Sequence, residues 1–299
     1  MKAEDKAVSS ILSHQSSVLF VVGPTASGKS ALAMNLAGAL DGEIICADSQ
    51  TLRRSLDIGT AKPSAVDQSE IKHHLLGIIE PYARFSVNQF KDLAEAAISD
   101  IRKRGKLPIV VGGTGLYIDA LFYGFNISLE SKNLDYKKEL ELMSVTELQN
   151  IIKLNKYPMP KNENNSRHLV GVILREGQLY VNINPVPGAL IFGLMPEDEE
   201  LKNRIKVRVD DMFSAGLVSE VSALITKYGE PPAKLDAIGY PIVARLINNE
   251  IDLVTTKELF VQAHWKYARR QKSWFKRNKN IVWFKEVNTA FEYILNEMQ

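Results

Sequence analysis

Ser17-Val18-Leu19-Phe20-Val21-Val22-Gly23-Pro24-Thr25-Ala26-Ser27-Gly28-Lys29-Ser30 is the stretch that decides how this chain folds. A short apolar run from Ser17 to Val22 reads as a strand, a glycine loop follows, and the loop opens a helix. Gly23 to Ser30 matches the phosphate-binding P-loop pattern in full, with its strand before and its helix after. Glycines let successive backbone N–H groups curl around a phosphate, and the helix N-terminus adds partial positive charge. Gly23, Pro24, Thr25, Ala26, Ser27, Gly28, Lys29 and Ser30 are therefore the candidate diphosphate contacts. Lys29 is expected on the terminal phosphate, and the Ser30 hydroxyl is placed to hold a magnesium ion, Mg2+. The pattern indicates a diphosphate or triphosphate and does not by itself name ATP.

Outward from the loop, strands and helices alternate. Ser30 to Leu40 has helical spacing, with Leu32, Leu36 and Leu40 on one face. Glu43 to Ala47 is a second strand stopped by Asp48-Ser49, and His74 to Ile79 is expected to be a third. Ser86 reads as a helix N-cap with Gln89 in capping-box position, and the helix runs to the basic end Arg102-Lys103-Arg104-Gly105. Leu107 to Val111 is another strand, leading into Gly112-Gly113-Thr114-Gly115. The spacing predicts an α/β fold, a P-loop NTPase-like parallel sheet flanked by helices. Residues 124–184 break the pattern and read as a small helical insertion domain, leaving 1–123 and 185–299 as the core. Ala189 to Leu194 returns to strand character, and helices then continue to Trp274, broken at Gly216, at Gly229 to Pro232 and at Gly239.

The 299 residues are 45% hydrophobic and 24% charged, which suits a soluble globular protein. A formal net charge of +2 indicates neither a nucleic-acid nor a membrane partner globally, so any basic surface must be local. Cys46, the one cysteine, sits in an apolar run and reads as a small buried hydrophobe. The mixed charges of Met1 to Lys6 are unlike a signal peptide, and Val18 to Val22 is too short to span a bilayer. A cytoplasmic protein with no membrane association is expected, acting as a monomer.

The best-placed acid near the loop is Asp48, at the carboxyl end of the second strand, facing the crevice of a parallel sheet. It suits magnesium binding through water, a general base, or a cap on the following turn. Thr114 lies between glycines at the end of the next strand, with its hydroxyl expected in the same crevice. Arg204 and Arg208 share a helix face, as surface arginines or as a phosphate clamp. His73 and His74 point apart and read as structural. From His264 to Lys285 the chain carries Lys266, Arg269, Arg270, Lys272, Lys276, Arg277, Lys279 and Lys285 without an acid, interleaved with aromatics. That composition suits either RNA binding or a solvated helix whose aromatics pack inward.

Gly23 to Ser30, Ala47-Asp48-Ser49, Leu56-Asp57-Ile58-Gly59-Thr60-Ala61-Lys62-Pro63 and Val111 to Ile118 together resemble the tRNA dimethylallyltransferase family. Ala237-Ile238-Gly239-Tyr240 and Tyr267 to Arg277 agree, so the resemblance covers nearly the whole chain. It implies transfer of a dimethylallyl group from dimethylallyl diphosphate to the N6 amine of the adenosine just 3′ of the anticodon in tRNA. It also implies Asp48 as general base, Thr114 at the reaction centre, Lys29 and Arg208 on the diphosphate, and a small helical insertion. The tRNA contacts then expected are Asp48, Ser49, Gln50, Thr51, Thr114, Arg167, Arg269, Arg270 and Arg277. Three stretches depart from the pattern: Gln50-Thr51-Leu52-Arg53, Arg167 to Gly171 without a final arginine, and Pro241 after Tyr240. The alternatives are an adenylate (AMP, ADP or ATP) isopentenyltransferase and an ATP-dependent small-molecule kinase. The Asp57 to Pro63 motif is not a kinase pattern, and the basic aromatic tail disfavours a free nucleotide.

Overall fold

The computed structural model describes residues 17–124, 134–160, 162–174, 184–229 and 237–298. In chain order the elements are β1 (Val18–Val22), α1 (Lys29–Ala39), β2 (Gly42–Cys46), α2 (Ala65–Glu70), β3 (His73–His74), α3 (Val87–Lys103), β4 (Leu107–Gly112) and α4 (Gly115–Phe122). There follow α5 (Leu134–Leu142), α6 (Val145–Leu154), α7 (Ser166–Leu174), β5 (Ala189–Leu194), α8 (Asp198–Ser214) and α9 (Leu217–Tyr228). The chain ends with α10 (Tyr240–Ile247), α11 (Leu253–Phe275), β6 (Val282–Phe284) and α12 (Val287–Met298). It divides into two compact units, Met1–Phe122 with Val186–Gln299, and Tyr123–Pro185.

The larger unit holds a six-stranded sheet in the order β3-β2-β4-β1-β5-β6, and all neighbouring strands are parallel. β1, β2 and β4 are buried at every position, as strands covered on both faces must be. One face packs Leu19, Val21, Ile44 and Ile109 against Leu32 and Leu36 of α1 and Ile294 of α12. On the other, Phe20 meets Phe122 of α4 edge-on, with centroids 5.4 Å apart. A second cluster joins α8, α9, α10 and α11 through Ile205, Val221, Tyr240 and Phe260. In the smaller unit, α5, α6 and α7 enclose Leu140, Leu148, Ile152 and Leu169.

Local sequence rules hold at several element ends. The Ser86 hydroxyl accepts from the Gln89 N–H while the Gln89 side chain accepts from the Ser86 N–H, completing the expected capping box of α3. The breaks at Gly216, Gly229 and Gly239 fall at helix ends, while residues 230–232 lie outside the described residues. The third strand is a correction: β3 is His73–His74 alone. Gly77 and Ile78 donate instead to the carbonyls of Thr51 and Leu52, at 3.0 and 2.7 Å, so Leu76 to Ile79 pairs with an irregular loop. β6, beside β5, was absent from the expected elements. Among the described residues no helix is long and apolar enough to cross a membrane.

Candidate active site

Register places the candidate groups at one edge of the sheet. Val22 lies beside Gly112, and Cys46 beside Val111, so the chain leaves β1, β2 and β4 at the same level. Gly23, Asp48 and Thr114 therefore emerge together at the carboxyl end, where parallel sheets bind ligands.

The P-loop has the backbone its sequence requires. Gly28 caps α1 at φ 96°, a left-handed conformation that costs a side-chain-bearing residue energy. Lys29 Nζ donates to Pro24 O at 3.2 Å, folding over the loop. Burial draws the Lys29 ammonium down to about 8, with the charge of Arg208 adding to the effect and that of Asp48 opposing it. Arg204 and Arg208 both serve this loop. Arg204 Nη1 donates to Ser27 O at 3.1 Å and its Nη2 to Glu200 at 2.6 Å. Arg208 lines the cleft with Lys29, and burial lowers its pKa against the opposing pull of Asp48. Ser27 Oγ and Arg208 Nε are buried without hydrogen-bond partners among the described residues. Buried donors of this kind carry a desolvation cost that an anion would offset.

Asp48 both caps a turn and faces the cleft. Its Oδ1 accepts from Gln50 N at 2.9 Å, and Thr51 Oγ1 donates to its carbonyl at 3.3 Å. Thr114 Oγ1 accepts from Ser49 N at 3.0 Å, and Thr114 N donates to Ala47 O at 3.3 Å, which locks the β2 and β4 turns together. Asp48, Gln50 and Thr51 line one cleft with Thr25, Lys29, Ser30 and Arg208. The floor is apolar, from Ala33, Ile44, Cys46 and Val111, and part of the wall is Gly59, Thr60, Ala61 and Pro63. Burial pushes the Cys46 thiol up to about 12, so it is an inert neutral surface. His73 lines the same cleft, with its Nδ1 2.7 Å from Ile71 O, while His74 pairs with Glu43.

A family model described as IPP transferase matches residues 52–278. The chain belongs to the IPP transferase family. It is 37% identical to the tRNA dimethylallyltransferase of Anoxybacillus flavithermus across 94% of each chain. It is 40% identical to tRNA dimethylallyltransferase 1 of Trichlorobacter lovleyi, across 89% of this chain and 92% of that one. The solved full-length tRNA isopentenylpyrophosphate transferase of Bacillus halodurans superposes with a TM-score of 0.72 at 31% identity, covering 95% of this chain and 97% of that one.

In this IPP transferase, α11 has one face in the core and one in solvent. Phe260, His264, Ala268, Gln271 and Phe275 are buried at helical spacing. Lys266, Arg269, Arg270 and Arg277 line an open, shallow concavity with Ser273 and Trp274. Trp274 Nε1 donates to Asp119 at 2.8 Å, and the Arg277 guanidinium sits 4.1 Å over the indole ring. The basic stripe is thus divided: Lys272 pairs with Asp198 and Lys285 with Glu197. Arg167 is exposed on α7, in the smaller unit, with its backbone N–H on Asn165 Oδ1 at 3.0 Å.

Three polar residues of this family member were given no role from the sequence. Gln271 accepts from Thr25 N at 2.8 Å and donates to Gly113 O at 2.9 Å, clipping the P-loop to the β4 turn. His264 stacks on Phe260 with centroids 4.6 Å apart, and burial draws its imidazole down to about 4, so it is neutral at physiological pH. Glu220 of α9 holds the Asp57 to Gly59 backbone. A glutamine and a histidine on an otherwise apolar helical stripe were the available signal for the first two. Gln271→Leu is expected to leave Thr25 N–H and Gly113 C=O without their partner, lowering stability by about 1–3 kcal/mol. A urea midpoint equal to wild type would remove that structural role.

Proposed function

We propose that this protein transfers a dimethylallyl group from dimethylallyl diphosphate to the N6 amine of the adenosine 3′-adjacent to the anticodon in tRNA. The observation that carries the reading is one cleft that brings Lys29, Ser30 and Arg208, whose Nε is buried without a partner among the described residues, together with the Asp48 carboxylate at the end of β2. Membership of the IPP transferase family, with relatives named tRNA dimethylallyltransferase, supports it.

The roles follow from the chemistry. The P-loop backbone, Ser27, Lys29 and Arg208 hold the diphosphate, and Lys29 and Arg208 neutralise the charge that grows on it as it leaves. The adenine amine is a poor nucleophile because its lone pair is delocalised into the ring. As nitrogen bonds to the allylic carbon, the carbon–oxygen bond to diphosphate breaks and Asp48 takes the N6 proton. Thr114 holds the Asp48-Ser49 turn at the reaction centre, and Gln50 and Thr51 meet the base. Magnesium fits the donor set: Ser30 offers a hydroxyl and Asp48 a carboxylate on the same cleft, few protein ligands beside a diphosphate. That matches an ion which keeps waters and binds through substrate phosphates. When bound, it supplies further neutralisation of the leaving diphosphate.

A base stacked in an RNA loop cannot present its amine to a group inside a cleft, so the adenosine enters flipped out of its stack. Arg269, Arg270 and Arg277 are assigned to tRNA phosphates, and the Tyr123–Pro185 unit contributes Arg167. The protein is further read as a cytoplasmic monomer, checked by sedimentation at working concentration.

Incubation with radiolabelled dimethylallyl diphosphate and either tRNA, AMP, or ATP with nucleosides tests the assignment. Label is expected in tRNA alone; label in AMP would make it an adenylate prenyltransferase, and phosphate transfer from ATP would make it a kinase. Replacing Arg269, Arg270 and Arg277 with glutamine should raise the apparent tRNA constant. The log–log salt slope should fall by about one for each phosphate that is no longer neutralised. An unchanged slope would return these arginines to solvation.

A further inference from the structure

We infer that Glu220 is a positioning residue that fixes one wall of the cleft and thereby selects the prenyl chain, a role that rests on the prenyl-transfer reading above. Its carboxylate collects four hydrogen bonds. Oε2 accepts from Asp57 N at 2.9 Å and Ile58 N at 2.8 Å, and Oε1 accepts from Gly59 N at 3.1 Å and the Tyr240 hydroxyl at 2.6 Å. Three successive backbone N–H groups converging on one carboxylate form a concave nest, a geometry an irregular loop does not hold unaided. Charge-assisted hydrogen bonds are about twice as strong as neutral ones, so the loop is held where α9 puts it.

The loop is pinned from its other sides as well. A Cβ on Gly59 would lie 2.6 Å from the Tyr240 ring, so only glycine lets the loop pack there. Lys62 donates to Arg53 O at 2.8 Å and pairs with Asp57, tying the end of the loop to its start. The residues so fixed, Gly59, Thr60, Ala61 and Pro63, face the same cleft as Ala33 and Cys46 of its apolar floor. The spacing between that wall and that floor limits the hydrocarbon admitted beside the P-loop. Glu220 itself lines no part of the cleft and acts only through the backbone it holds.

Glu220→Gln keeps the side chain's shape but offers one acceptor oxygen where two now serve four donors. Exchange of the Asp57, Ile58 and Gly59 amides should accelerate, read by hydrogen-exchange mass spectrometry of the full chain. The KM for dimethylallyl diphosphate should rise on the order of tenfold, equivalent to losing a hydrogen bond to a charged group, while kcat stays near wild type. The preference for dimethylallyl over geranyl diphosphate should narrow, and binding of inorganic diphosphate should be unchanged. Tyr240→Phe removes a single donor and should shift the same quantities less, which keeps the test available if the glutamine variant folds poorly. Wild-type exchange at residues 57–59 in Glu220→Gln would overturn the positioning role. Accelerated exchange with wild-type KM and chain preference would overturn its link to the cleft. A wild-type enzyme that turns over no prenyl diphosphate would overturn the prenyl-transfer reading and the chain-selection role with it; the exchange measurement alone would still decide whether Glu220 positions the loop.

Discussion

Asp48→Asn should slow the single-turnover rate of prenyl transfer by roughly 10²-fold or more, within the range general-base catalysis supplies, while tRNA affinity changes much less. The structure makes this substitution unusually clean. Oδ1 of Asp48 already accepts from Gln50 N, and an asparagine carbonyl oxygen can accept the same bond. The turn that carries Ser49 and Gln50 should therefore survive, and with it the Thr114 contact to Ser49 N. What asparagine cannot do is accept a proton from the adenine amine. Were Asp48 only an organiser of magnesium, the defect would appear as weaker diphosphate binding, partly rescued by excess metal. Equilibrium binding of both substrates, measured beside the single-turnover rate, separates the two. A chemical step at the wild-type rate would eliminate the general base and leave Asp48 as a turn cap.

What the sequence made legible and what it hid divide along the range of the interactions involved. The strand, loop and helix at Ser17 to Ser30 follow from glycine spacing and local apolar pattern, and so does the Ser86 capping box. The edge at which Gly23, Asp48 and Thr114 meet follows from parallel topology, which short alternating elements already imply. Leu76 to Ile79 misled because an apolar run that packs against an irregular loop has the same composition as one that pairs with a strand. β6 was hidden in a basic aromatic stretch and is only three residues long. Gln271 and Glu220 escaped for a different reason: their partners lie 246 and 163 residues away, and no local rule connects them. The Asp57 to Pro63 motif was noticed through resemblance alone, and its physical cause is a carboxylate supplied by a distant helix. The arginine pair of α8 was ambiguous until packing turned both toward the P-loop.

Lys29→Ala should cut turnover by roughly 10²–10³-fold, the usual cost of removing one preorganised electrostatic donor, with a further loss in diphosphate affinity. The ammonium sits in the cleft with Arg208, and both face the position where negative charge accumulates as the carbon–oxygen bond breaks. The same burial that strengthens this interaction also lowers the Lys29 pKa to about 8 in the free enzyme. The charged form is the active one and predominates below that value, so kcat/KM should hold on the acid side and fall as pH rises through about 8. Lys29→Arg keeps a positive charge throughout this range, and its profile should lose the alkaline limb even if its maximum is lower. Near-normal turnover in Lys29→Ala would sink the idea that this loop holds the leaving group. An alkaline limb that persists unchanged in Lys29→Arg would assign the titration to another group.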